Sequence, residues 1–152
     1  MQTRSDTTPA IDERLRMLGA IVWLCGQSPM HAQMQIDEIS ELFLAPLAGG
    51  QLRIWGRAAQ PVGVATWAWL SAEAEAEYLE TGKVPQGAWS SGERLWFVDV
   101  IAPFGDAPGI ARDLRQIIPT GAVARSARWT DTGALRRIGR FTRGPATTPA
   151  VH

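Results

Sequence analysis

The sequence predicts an α+β fold of the mixed α/β, three-layer type, and three observations carry that expectation. Apolar residues recur at helical spacing through the first third of the chain. Period-two alternation takes over from Gln51. An apolar strand, Arg94–Ile101, then runs through a Pro/Gly loop into another helical pattern, and two further alternating stretches follow it. Helices, a hairpin and a strand–loop–helix–strand unit in that order suit a mixed or antiparallel sheet flanked by helices. At 152 residues one domain is the expectation. Its bounds are read as 11–143, between a flexible N-terminus at 1–10 and a loose tail at 144–152.

In the first helix Ile11, Leu15, Leu18, Val22 and Cys25 share one face, which Ile21 and Leu24 widen, and Gly26 is the natural stop. Ser28 before Pro29 reads as an N-cap with proline at the first helical position. A second helix is expected over Asp37–Leu47, with Pro46 ending or kinking it and Gly49-Gly50 as the break. Gln51–Arg57 and Val62–Leu70 read as an antiparallel hairpin turned by residues 58–61. Ser71 caps a short acidic helix that places Tyr78 and Leu79 inward and ends at Gly82. After the loop bearing Trp89-Ser90-Ser91-Gly92 comes the central strand, Arg94–Ile101. Pro103–Gly109 connects it to a helix over Ile110–Ile118, whose N-terminal N–H groups suit a phosphate-bearing ligand. Gly121–Trp129 and Arg137–Arg143 are the closing strands.

Composition narrows the classes. An apolar content of 45% against 20% charged residues excludes a disordered chain. No apolar run is long enough to span a bilayer, and no export leader is read before Leu18–Cys25. The single cysteine, Cys25, cannot form an internal disulfide, so a reducing, cytoplasmic location is expected. The net charge is zero but segregated. Residues 1–111 hold seven Lys/Arg and thirteen Asp/Glu, whereas 112–143 hold eight Arg and two Asp. That excess suits an acidic partner or a plain solvated arginine surface. The arginines lack interleaved aromatics, which argues against nucleic acid. No metal centre is read.

Two residues stand out chemically. Asp99 is a carboxylate inside Trp96-Phe97-Val98-Asp99-Val100-Ile101, costly to bury unless paired. His31 is the only histidine before the C-terminal residue. Taken singly, His31 reads as a capping or packed imidazole and Asp99 as a carboxylate tied to Arg94 or a backbone N–H. Ser28 reads as a cap rather than a nucleophile, and Cys25 as core. Trp67, Trp69, Trp89 and Trp96 read as core, with one or two left as acyl-channel walls. Asp106 is expected to fasten the Gly105 turn or cap the next helix.

The order and spacing of several stretches resemble the RTX toxin-activating lysine acyltransferases, the hemolysin-activating type. They are Leu18-Gly19, Trp23-Leu24, Ser28-Pro29-Met30-His31, Trp67–Ser71, Glu77-Tyr78-Leu79, Trp89–Asp99 and Ile101–Asp106. The resemblance implies a GNAT-like fold, similar to the GCN5-related N-acetyltransferases. It implies transfer of a fatty acyl group from acyl-acyl carrier protein to internal lysines of an RTX protoxin, with no resident cofactor. The catalytic pair of the family falls on His31 and Asp99. The loop residues Phe104 and Gly105 become candidates for substrate or carrier binding. So do Arg112, Arg115, Arg125 and Arg128, because the carrier is acidic. A homodimer is left open. His31 would act as general base with Asp99 holding its tautomer; Asp99 holding the lysine, or an acyl-imidazole on His31, stay open. The competing readings are a catalytically silent carrier- or toxin-binding module and a small-acyl CoA-dependent N-acetyltransferase. The missing glycine-rich pyrophosphate loop counts against the second.

Overall fold

The computed structural model describes residues 8–145, so most of the expected flexible N-terminus and of the loose tail lie outside the described residues. The element order is α1 (Thr8–Gln27), α2 (Ile36–Ala48), β1 (Leu52–Arg57), β2 (Gln60–Leu70), α3 (Ala72–Thr81), β3 (Arg94–Ile101), α4 (Ala107–Arg115), β4 (Val123–Trp129) and β5 (Leu135–Thr142). The strands form one open sheet in the order β1-β2-β3-β4-β5. β1 and β2 pair antiparallel, β3 and β4 parallel, β4 and β5 antiparallel. The mixed α/β class read from the sequence is the one observed, with Arg94–Ile101 as the middle strand. Among the described residues no helix is long and apolar enough to cross a membrane.

Local boundaries moved where turn chemistry outweighed composition. The hairpin turn is two residues long: Ala58 and Ala59 take positive φ of 50° and 66°. That conformation splays least against strand twist, although alanine adopts it reluctantly. β2 therefore starts at Gln60, before Pro61. α2 passes through Pro46 to Ala48 and closes with Gly49 N–H on the Ala45 carbonyl at 2.9 Å. α4 starts three residues before Ile110, with Pro108 in the first turn, where a missing N–H costs nothing.

The chain forms two compact units. One comprises the residues up to Thr66 together with Asp99–Asp106; the other comprises Trp67–Val98 and the residues from Ala107 onward. The first unit packs Ile21, Leu24 and Cys25 of α1 against Phe43, Leu52, Val64 and Ile101, with Met17, Ile39, Leu42, Leu47 and Ile54 around them. This corrects the expected face of α1. Ile11, Leu15 and Val22 are 52%, 60% and 49% exposed, and the buried stripe runs through Met17, Ile21, Leu24 and Cys25 instead. α1 carries two apolar stripes that meet at Cys25; the core chose the one that runs through Ile21 and Leu24.

In the second unit Trp96, Tyr78, Trp89, Leu70 and Ala68 form the core, and Trp129 meets Tyr78 edge-on at 5.8 Å. The indole N–H of buried Trp96 donates to Glu75 at 2.8 Å, and the other oxygen of Glu75 accepts from Arg94. Ser71 Oγ accepts from Ala74 N–H, and Gly82 ends α3 at φ 76°, both as the sequence predicts. Trp89 and Trp96 are buried as expected, whereas Trp67 and Trp69 are only half-buried.

Candidate active site

The site grows from the break after α1. Once the helix stops at Gln27, Ala32 N–H donates to the Ser28 carbonyl at 2.8 Å and His31 N–H to the same oxygen at 3.0 Å. This single turn, rather than the helix start expected at Ser28-Pro29, stacks residue 31 above residue 28. The Ser28 hydroxyl is consequently not a cap: its Oγ lies 2.8 Å from His31 Nδ1. Pro29 rigidifies the turn by fixing φ at its second position.

The other side of the imidazole meets β3. His31 Nε2 lies 3.2 Å from Asp99 Oδ1, a contact across 68 residues of chain. The backbone N–H of Asp99 donates to the buried hydroxyl of Thr66 at 3.2 Å, which pins the strand at this position. Arg94, the alternative partner considered for Asp99, pairs with Glu75 instead. The side chains of His31 and Asp99 are 12% and 18% exposed. Both are largely screened from bulk water.

Both imidazole nitrogens thus have a partner, and for the neutral ring the proton inventory follows. A carboxylate only accepts, so in the neutral ring Nε2 would carry the hydrogen and Nδ1 the lone pair, with the Ser28 hydroxyl donating to Nδ1. Ser28, His31 and Asp99 thus line up as a hydroxyl, an imidazole and a carboxylate in one chain of contacts. The sequence alone did not indicate this contact of Ser28. The signal was its i, i+3 spacing from His31 within a proline turn.

Cys25 sits beneath the site in the core. Burial, and then the negative charge of Asp99, push its thiol up from 9.0 to about 11. It stays protonated and inert, as read from the sequence. Because the folded state holds that proton more tightly than the unfolded state, its contribution to stability is complete below pH 9 and is lost as pH rises toward 11. Iodoacetamide should leave Cys25 of the native protein unlabelled at pH 8 and label it fully in urea. Fast native labelling at pH 8 would contradict this assignment.

Of the loop candidates, Phe104 stacks on Trp23 of α1 with ring centroids 5.7 Å apart, and both rings are about two-fifths exposed. Gly105 turns the chain at φ 90°, a conformation closed to most side chains. Asp106 pairs with Arg57 at 2.6 Å. The four basic candidates do not form one patch. Arg115 Nε donates to the Thr142 carbonyl at 3.0 Å and is a structural tie. Arg112 is exposed on α4. Arg125 and Arg128 lie three apart on β4, hence on opposite faces of the sheet.

A 32% identical stretch of 104 residues, 68% of this chain, matches an RTX-II toxin-activating lysine-acyltransferase of Actinobacillus pleuropneumoniae and covers 65% of that protein. A protein-lysine myristoyltransferase of Escherichia coli is 35% identical over 111 residues, 72% of this chain and 65% of its own length. A protein-lysine palmitoyltransferase of Bordetella bronchiseptica is 34% identical over 137 residues, 88% of this chain and 73% of its own length. The chain thus spans about two thirds of the length of the relatives it matches. The profile of the RTX toxin acyltransferase family matches residues 11–142, from the first turns of α1 to the end of β5 and with both His31 and Asp99 inside it, and the chain belongs to that family.

Proposed function

We propose that this protein is a protein-lysine fatty acyltransferase that takes its acyl group from acyl-acyl carrier protein and modifies internal lysines of an RTX protoxin in the cytoplasm. A GNAT-like fold is part of this reading. The observation that carries it is the Ser28–His31–Asp99 relay. The names of the relatives, lysine-acyltransferase, myristoyltransferase and palmitoyltransferase, support the reaction class.

The chemistry follows from the proton inventory. A lysine ammonium is not nucleophilic, so it first gives one proton to water, and the neutral amine then loses a second as it attacks the thioester carbonyl. The lone pair on Nδ1 of His31 takes that proton by way of Ser28, whose own hydrogen moves to Nδ1 as its oxygen accepts one from the amine. Asp99, bonded to Nε2–H, stabilises the imidazolium that results. The tetrahedral intermediate then expels the carrier thiolate, the C–S bond breaks as the amide forms, and the imidazolium returns the proton to sulfur. The exposed Trp23–Phe104 pair offers an apolar surface for a fatty chain.

The contact between Ser28 and His31 also favours a second route, in which Ser28 attacks first and holds the acyl group as an ester. Intact mass separates the two. Wild type and His31→Ala are incubated with acyl-carrier thioester, with and without an RTX protoxin. The expected result is a fatty-acyl increment on toxin lysines that falls by about 10²–10⁴-fold in His31→Ala. An increment on the enzyme in the absence of toxin that is lost in Ser28→Ala would favour the serine route, and one that Ser28→Ala keeps would indicate an acyl-imidazole on His31. Equal toxin acylation by both proteins would remove His31 from its role. No acylation despite carrier binding would leave a silent binding module, and preference for CoA thioesters would indicate a small-acyl acetyltransferase.

A further inference from the structure

The β4–β5 ribbon holds an arrangement that the reaction does not use. In the antiparallel register Arg125 stands directly opposite Arg140, and Arg128 directly opposite Arg137. Like charges directly across a strand pair weaken the pairing. Among the described residues none of these four guanidinium groups has an ion pair or hydrogen bond. The only acidic residues between positions 112 and 143 are Asp113 and Asp131.

β5 is also the last strand of the sheet, so its outer row of backbone groups has no strand beside it among the described residues. Every residue of β5 except Gly139 is exposed, Ile138 among them at 39%. Arg137 and Arg140 lie three apart and therefore point to opposite faces. They straddle the edge, each backed by the arginine opposite it on β4. A partner arriving edge-on meets positive charge from both sides with an apolar residue between.

From this geometry we infer that the outer edge of β5 is a docking surface for an acidic protein, the acyl carrier, gripped by Arg137 and Arg140 with Arg125 and Arg128 behind them. The identity of the partner rests on the function proposed above; the charge complementarity is independent of it. A second copy of this chain fits poorly, because edge-to-edge pairing would set these arginines against their own counterparts. The docking set thereby shifts from the arginines named in the sequence. Arg115 is a structural tie, and Arg137 and Arg140 take its place.

The test measures binding and transfer separately. Direct binding of phosphopantetheinylated, unacylated carrier protein is titrated against wild type and the double variant Arg137→Glu/Arg140→Glu, at low and at high salt. The expected result is a Kd raised about tenfold or more in the variant, with the salt dependence of wild type largely lost. Transfer from a carrier-free acyl-pantetheine thioester should be unchanged. The thermal midpoint should not fall, because two like-charge pairs are relieved. Unchanged carrier affinity in the variant would overturn the proposal. So would a wild type that ignores carrier, tighter binding of a duplex oligonucleotide than of carrier at equal salt, or a wild-type dimer that the variant dissolves. Binding that behaves as expected with no transfer from either donor would uphold the docking surface and defeat the proposed reaction.

Discussion

Asp99→Asn should reduce acyl transfer by about 10³–10⁴-fold while leaving the protein folded. The carboxamide is nearly isosteric, but it can offer N–H groups to His31 Nε2 where the carboxylate could only accept. The ring then switches tautomer, placing its lone pair on Nε2 and its proton on Nδ1. There it donates to Ser28 Oγ, and the base facing the hydroxyl is gone. Stabilisation of the imidazolium is lost at the same time. The Cys25 thiol reports independently that the charge has left a folded site. Part of its upward shift comes from the charge of Asp99, so removing that charge should let native Cys25 alkylate at lower pH than in wild type. Loss of activity together with a lowered labelling pH supports the relay. Activity within tenfold of wild type would remove Asp99 from it.

Gly92→Ala is the substitution with the largest expected effect on stability. A β-carbon there would lie 2.5 Å from the Leu70 carbonyl oxygen, 2.5 Å from Ser71 N and 2.6 Å from Ser71 Cα. All three are backbone atoms, and none can rotate away. The junction is also cross-linked. Ser91 and Gly92 N–H both donate to the Trp69 carbonyl, at 2.8 and 3.0 Å, and Ser71 N–H donates to Ser91 Oγ at 3.0 Å. Moving Ser71 aside would disturb the cap of α3 as well. A loss of about 3 kcal/mol is expected, read as a fall in Tm of about 6–12 °C for a chain of this size. Urea denaturation of wild type and variant measures it. A loss below about 1 kcal/mol would mean that the backbone can yield after all. The requirement for glycine here gives a physical reason for the Trp89-Ser90-Ser91-Gly92 stretch, which the sequence presents only as a loop.

Local chemistry was legible wherever neighbours in sequence decide it. Ser71 and Gly82 bound α3 because a hydroxyl and a left-handed glycine satisfy helix ends without help from afar. Alternation identified the first strand of the hairpin, and a continuous apolar run the middle strand, where Leu95, Trp96 and Phe97 are buried in succession on both faces. The weight placed on His31 and Asp99 came from a resemblance spread along the chain; apart from it, each residue alone read as structural.

Tertiary structure decided what depends on a distant partner. Periodicity says that α1 has an apolar face, but its two stripes are equivalent until Phe43, Leu52, Val64 and Ile101 select one. Ser28-Pro29 suits a helix cap and a turn equally well, and the imidazole three residues on, held by Asp99 from another strand, gives the hydroxyl its partner. The arginine excess was plain from counting charges. Which arginines stand together, and which are consumed as ties, follows only from strand register, because opposition across a sheet is set by the pairing of β4 with β5 and not by spacing along the chain.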